Sequence, residues 1–253
     1  MKPLLHTFIR FNKNLCSSIE PLLPHTRTYL PDVYAKLVGD EMNSRVRPTV
    51  LDVGGGKACR FVQYRSEASD AKIIAVDISA EELSHNTDVD EKIVADVVRG
   101  LPFEDESLDM VVSRSVLEHL TDTETFIAEA ARVLKPAGSF IHLFPSKRAP
   151  YAVINRLLPN RATRSLLAVF MPGSEGRLGF PAFYDNCLAS EIKPILAKNR
   201  LQIVSVRTSY YAADYFDFFA PLYVLVAAYE LVAYAMHAED LAASILIVAT
   251  KRE

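Results

Sequence analysis

Asp52 stands two residues ahead of the run Gly54-Gly55-Gly56, and Asp77 follows about twenty residues past those glycines. Glycines at 54 and 56 let the backbone take positive φ and let a ligand approach with no Cβ in the way. Taken alone, Gly-x-Gly after a strand marks either a plain tight turn or a seat for a nucleotide-like ligand. Asp52 sharpens the reading. At the carboxyl end of a strand its carboxylate would repel a pyrophosphate, but it suits a ligand carrying an amine or a positive charge. Asp77 falls where a doubly wound fold places the acid that accepts hydrogen bonds from ribose hydroxyls. Ser79, Glu81 and Glu82 follow it and suit a helix N-terminus, and the two roles can coexist.

These residues need strands that end together. Thr49–Val53 is a short apolar run ending at the glycines, as a buried parallel strand does before it turns sharply into a helix, here predicted over 58–68. Further strands are predicted at 72–77, 92–95, 108–113, 139–144, 201–209 and 243–250. A helix over 122–134 begins at Asp122 as cap and stops at Lys135-Pro136-Ala137-Gly138, and another covers 187–199. Before the first strand, Leu5, Phe8, Phe11, Leu15 and Ile19 recur at helical spacing. Pro21, Pro24 and Pro31 break that segment, and a helix over 32–42 follows. Residues 1–45 therefore read as a helical cap and 46–253 as the α/β domain, with insertions at 146–185 and 210–240.

A chain of 253 residues, 50% hydrophobic, can bury one large α/β core. Its net charge of −3 argues against a general nucleic-acid binder. Cys16, Cys59 and Cys187 lie far apart, with no CxxC pair and no histidine spacing suited to zinc, so no metal site is expected. Free buried thiols and an N-terminus without a secretory signal point to the cytoplasm.

The blocks Leu-Asp-Val-Gly-Gly-Gly (51–56), Ala-Val-Asp (75–77), Ala-Asp-Val (95–97), Leu-Pro-Phe (101–103), Val-Leu-Glu-His-Leu (116–120) and Ala-Arg-Val-Leu-Lys-Pro-Ala-Gly (131–138) occur in order at fitting spacing. Together they resemble the class I S-adenosylmethionine-dependent methyltransferases, of the branch that often modifies small molecules and lipids. The resemblance implies a Rossmann-like fold, a doubly wound, seven-stranded, mostly parallel sheet, with S-adenosylmethionine as cofactor. It implies that Asp52, Gly54, Gly55 and Gly56 hold the methionine part, and that Asp77, with Ile78 beside it, binds the ribose. Asp96 would reach the adenine amino group, with Val97 as backbone contact or apolar packing. Backbone at Ser113 would line the methyl site. Ala58 departs from the motif, which often has a third glycine there; the side chain is small, so tighter packing is expected rather than lost binding.

Such a cofactor carries its own leaving group, which leaves alignment and electrostatics to the protein. A base is needed only where the acceptor loses a proton, and His119, just beyond the fourth strand, is the candidate. A histidine that anchors the turn or lines the pocket is the plainer alternative. Glu118 and Arg114 read as solvated neighbours. The resulting expectation is methyl transfer to a small or amphiphilic, anionic acceptor, most often at oxygen. A non-catalytic cofactor-binding protein of the same fold is the main alternative. A nicotinamide-dependent oxidoreductase is disfavoured, because Cys59 replaces the last glycine of its Gly-x-Gly-x-x-Gly motif and Asp52 would face the pyrophosphate.

The first insertion carries Lys147, Arg148, Arg156, Arg161, Arg164 and Arg177 against Glu175, which suits either a cap with a solvated basic face or a lid for an anionic acceptor. In the second, 221–236 is apolar apart from Glu230. That is short of the ~20 residues of a spanning helix, so a buried or homodimer-forming helix is expected, with an interfacial, peripheral membrane helix as the alternative.

Overall fold

The computed structural model describes residues 2–23, 28–157 and 180–253. Its strands are β1 Thr49–Val53, β2 Lys72–Asp77, β3 Glu91–Val94, β4 Leu108–Arg114, β5 Leu134–Pro145, β6 Leu201–Ser209 and β7 Ser244–Lys251. Its helices are α1 Lys2–Ile19, α2 Leu30–Asn43, α3 Ala80–Ser84, α4 Thr123–Val133, α5 Pro150–Leu157, α6 Ala189–Lys198 and α7 Ala220–Ala235. The strands form one seven-stranded sheet in the order β3-β2-β1-β4-β5-β7-β6, the doubly wound arrangement expected. Pairs β1–β2, β1–β4, β2–β3 and β4–β5 are parallel. Strand β7 runs against β6, because the N–H of Ala243 donates to Ser209 and that of Arg252 to Arg200.

Two compact units divide the chain. Tyr29–Phe144, Ala182–Arg207 and Ile245–Glu253 contain most of the sheet with α2, α3, α4 and α6. In this unit the pleat assigns alternate residues to opposite faces. Val50, Ile73, Met110, Val112 and Ile141 share a core with Leu30, Tyr34, Val38 and Met42 of α2. Asp52 has the parity of Val50 and so faces α2. Ser113 has the other parity and faces α4, where Phe126 meets His142 edge-on with ring centroids 5.6 Å apart. Burying each such aliphatic or aromatic side chain contributes about 1.5–3 kcal/mol before conformational entropy is counted.

The helix expected over 58–68 is replaced by a 3₁₀ turn at Arg60–Tyr64. Cys59 is extended, with its N–H held by Asp88 Oδ2 at 2.9 Å, so no α-helical turn starts there. Tyr64 packs so tightly on α2 that a Cβ at Gly39 would lie 2.4 Å from its own Cβ. Helix α4 starts as expected, with Asp122 Oδ1 accepting from the N–H of Thr125.

The second unit comprises Met1–Thr28, Pro145–Pro181 and Thr208–Ser244 and holds α1, α5 and α7. Of the basic segment, Arg161, Arg164 and Arg177 lie outside the described residues. No described helix is long and apolar enough to cross a membrane.

Candidate active site

The strand order β3-β2-β1-β4 puts Asp96, Asp77, Asp52 and the turn carrying His119 in a row along one sheet edge. Neighbouring strands lie about 4.8 Å apart, so the three acids span on the order of 10 Å. Gly54 and Gly55 both donate to the carbonyl of Val76, at 2.7 and 3.2 Å, which folds the loop back across β2. Gly54 has φ +67°, and a Cβ there would lie 2.3 Å from Val116 Cγ2. Gly56 has φ +44° and donates its N–H to Asp77 Oδ2 at 3.1 Å. Asp77 Oδ1 accepts from the N–H of Ser79, whose hydroxyl in turn caps α3. One carboxylate thus braces the glycine loop and the turn after β2.

Asp96 accepts from the N–H of Val98 and pairs with Arg99 at 3.1 Å. Val97 is buried beside it, whereas Ile78 presents an open apolar face, 59% exposed. The Ser113 hydroxyl lies 2.6 Å from His142 Nδ1, on the face away from the glycine loop, which leaves only Ser113 backbone for the row. Burial pushes the His142 imidazole down to about 3, so it is neutral at ordinary pH.

A cavity of about 40 Å³ opens at the end of β1, lined by Tyr34, Asp52, Gly54, Ala58, Arg60, Phe61 and Arg114. Burial pushes the Asp52 carboxyl up to about 7, although the Cys59 thiol that donates to it and the charge of Arg114 both pull it down. Asp77 adds a small upward push. The Tyr34 hydroxyl is buried with no hydrogen-bond partner among the described residues. A half-charged carboxyl, an orphan hydroxyl and two guanidinium groups around one void match a small zwitterion, such as the amino-acid end of a larger ligand.

Glu118 departs from its expected solvated position. The 3₁₀ turn at Leu117–His119 directs it inward, where it is 5% exposed. Its carbonyl accepts from the N–H groups of Phe183 and Tyr184 at 2.7 and 3.0 Å. Burial pushes its carboxyl up to about 8, with Glu118 Oε2 unpartnered among the described residues. Arg114 is likewise no surface residue, since it lines the cavity and its charge acts on both Asp52 and Glu118. His119 remains about one-third exposed, with Nε2 3.8 Å from Glu118 Oε1.

Three contributors escaped the sequence reading. Tyr34 falls on the apolar face of α2 and reads there as ordinary core. Asn86 is fully buried and donates to the carbonyl of Gly55 at 3.0 Å. Asp88 takes the Cys59 N–H, and its own N–H donates to Asn86 Oδ1. Asn-x-Asp in a polar loop is also an ordinary turn signal, so nothing local separates these residues from any other bend.

The row of acids, the glycine bend and the sheet order define a Rossmann-like protein, a fold that binds its ligands at the carboxyl ends of such strands. The family model described as a methyltransferase domain matches residues 51–142. The malonyl-[acyl-carrier protein] O-methyltransferase of Hahella chejuensis is 27% identical over 65% of this chain and 67% of its own length. The 27-O-demethylrifamycin SV methyltransferase of Amycolatopsis mediterranei is 32% identical over 37% of each chain. The geranyl diphosphate C-methyltransferase of Streptomyces coelicolor, solved with Mg2+, geranyl diphosphate and S-adenosyl-L-homocysteine, has the same fold. Its TM-score is 0.54 at 14% identity, over 88% of this chain and 81% of that one. Residues 51–142 are therefore similar to a methyltransferase domain, and the fold around them is shared with the solved methyltransferases.

Proposed function

We propose that the chain is a class I S-adenosylmethionine-dependent methyltransferase acting on an oxygen of a small or amphiphilic acceptor. The carrying observation is the order of groups along the sheet edge: Asp96, Asp77, Asp52 with its glycines, then the β4 turn with Arg114 and His119. Once bound, S-adenosylmethionine supplies a methyl group already attached to a good leaving group. Asp96 and the open Ile78 side chain suit the adenine end, and Asp77 suits the ribose. Asp52 suits the ammonium, while Tyr34, Arg60 and Arg114 suit the carboxylate. That direction leaves the reactive end facing β4. His119 stands there and can take the proton that an acceptor hydroxyl loses as its oxygen gains the methyl group. The turn that carries it is tied down through the Glu118 carbonyl, which accepts from the N–H groups of Phe183 and Tyr184.

Oxygen as the acceptor atom is supported by the two curated relatives, one named an O-methyltransferase and the other for a 27-O-demethyl substrate. The test uses labelled S-adenosylmethionine with small-molecule and lipid extracts, followed by identification of the labelled product. His119→Ala should leave cofactor affinity nearly unchanged and lower turnover at least ~10²-fold. An unchanged rate removes His119 from the chemistry, and label on carbon or nitrogen removes the oxygen assignment.

A further inference from the structure

The turn after β4 is held more firmly than a surface loop needs. Three residues other than glycine around it take left-handed backbone: Ser115 at φ +59°, Tyr184 at +55° and Asn186 at +52°. Such conformations persist only where the surrounding bonds enforce them, and they gather at functional sites. Those bonds are present. The N–H of Ser115 donates to Leu143 at 2.8 Å, and those of Phe183 and Tyr184 both reach the Glu118 carbonyl. Asp185 fastens the same segment to the start of α4. Its Oδ2 accepts from the N–H of Thr123 at 2.9 Å, and its carbonyl accepts from the Thr123 hydroxyl at 2.8 Å.

These bonds enclose the Glu118 side chain, which is buried with Oε2 unpartnered among the described residues. Its Oε1 lies 3.8 Å from His119 Nε2. That gap is beyond hydrogen-bond reach, but it is short for two groups able to carry opposite charge. The imidazole is about one-third exposed, so it stands between solvent and the buried acid. An acid that only filled space would cost more than an apolar residue of the same size.

The titratable groups around Glu118 are Arg114 and His119 beside it in the chain, Asp122 at the start of α4, and Tyr184 and Asp185 from the segment bonded to its carbonyl. Asp122 is engaged by Thr125, and Asp185 by Thr123 and Asn186. The charge of Arg114 draws the Glu118 carboxyl down, yet burial outweighs it and pushes the carboxyl up to about 8. Below that pH the group is neutral and has little hold on the ring; above it a carboxylate faces the imidazole.

We propose that Glu118 is a positioning residue for His119, whose ionised carboxylate draws the ring onto Oε1 and stabilises the imidazolium formed when an acceptor hydroxyl gives up its proton. The proton passes from the acceptor oxygen to the imidazole and no further, leaving a positive ring beside a negative carboxylate. Its part in methyl transfer rests on the proposed function, whereas the pairing stands without it. The pairing is read by NMR titration of the full chain with labelled histidine, the His119 resonance being assigned by its loss in His119→Ala. That resonance should show an inflection near pH 8, where Glu118 ionises. Glu118→Gln should abolish the inflection, and Glu118→Asp, which keeps a carboxyl, should retain it at a displaced pH. No inflection in the parent protein, or one that survives in Glu118→Gln, overturns the proposal. The kinetic arm is label transfer from saturating S-adenosylmethionine to the same small-molecule and lipid extracts. The ionised fraction of Glu118 rises about tenfold between pH 7 and pH 9, so turnover should climb about tenfold more in the parent protein than in Glu118→Gln. A role in folding alone would lower turnover at both pH values alike, and that result also overturns the proposal. If neither protein transfers label, the proposed function fails and the resonance still decides the pairing.

Discussion

Asp52 provides the most direct quantitative test of the site, because its charge is poised by burial. Its carboxyl sits at about 7 without ligand, so it is half protonated at neutral pH. A ligand ammonium beside it favours the ionised form, so binding must first expel the proton. The cost in apparent affinity is a factor of 1 + 10^(pKa − pH), which is about 11 at pH 6, about 2 at pH 7 and about 1.1 at pH 8. Relative to Asp52→Asn, the dissociation constant for S-adenosylmethionine should therefore tighten about tenfold from pH 6 to pH 8, with about half a proton released by this side chain per cofactor bound at pH 7. Titration calorimetry in two buffers of different ionisation enthalpy reads both quantities. The cofactor's own amine titrates in this range too, so Asp52→Asn is the reference: it keeps the ligand's titration and loses the side chain's. Asp52→Asn should bind more weakly at pH 8 and show none of the tightening. An equal slope in both proteins, or no proton release from the parent protein, would refute the placement of the ammonium at Asp52.

Other expectations follow from the same geometry. Gly54→Ala combines φ +67° with a Cβ 2.3 Å from Val116, and should cost about 3 kcal/mol or more in urea unfolding. Gly56→Ala meets no described atom nearer than 3.8 Å, so it should cost only about 1 kcal/mol while still obstructing the cofactor. Buried titrating groups predict opposing pH effects on stability. Glu118 is raised from 4.5 to about 8, so the folded chain holds a proton there that the unfolded chain lacks between those values. Stability from Glu118 is gained as pH falls, and Glu118→Gln should forfeit about 2–3 kcal/mol of that gain between pH 7 and pH 5. His142 is depressed from 6.5 to about 3, so the unfolded chain takes up the proton first and stability is lost as pH falls below 6.5. Removing the imidazole by His142→Gln should spare about 2 kcal/mol of acid destabilisation over the same interval, read as the change in stability between the two pH values.

The chain's local patterns were enough for the elements and for their closest neighbours. Apolar runs ending in acids mark β1, β2 and β3 with their carboxyl-end residues, because period-two burial and strand termination are properties of a few adjacent residues. The glycine bend is equally local, since positive φ is a demand on single residues. Asp122 as a cap and the reach of β6 were legible for the same reason. Only the tertiary fold decided what surrounds those residues. Strand parity sends Asp52 toward α2 and Ser113 toward α4, so the cavity is completed by Tyr34 from a helix before the sheet and by Arg114 at the end of the neighbouring strand β4. The loop at Asn86 and Asp88 holds Gly55 and Cys59 from about thirty residues away, a pairing no local window contains. The same long-range packing shortens the helix after β1 to a 3₁₀ turn and takes Glu118 out of water. Residue type and spacing determine which groups can ionise or bend; which of them lose their water is determined by the elements that close over them, and with burial come the raised carboxyls of Asp52 and Glu118.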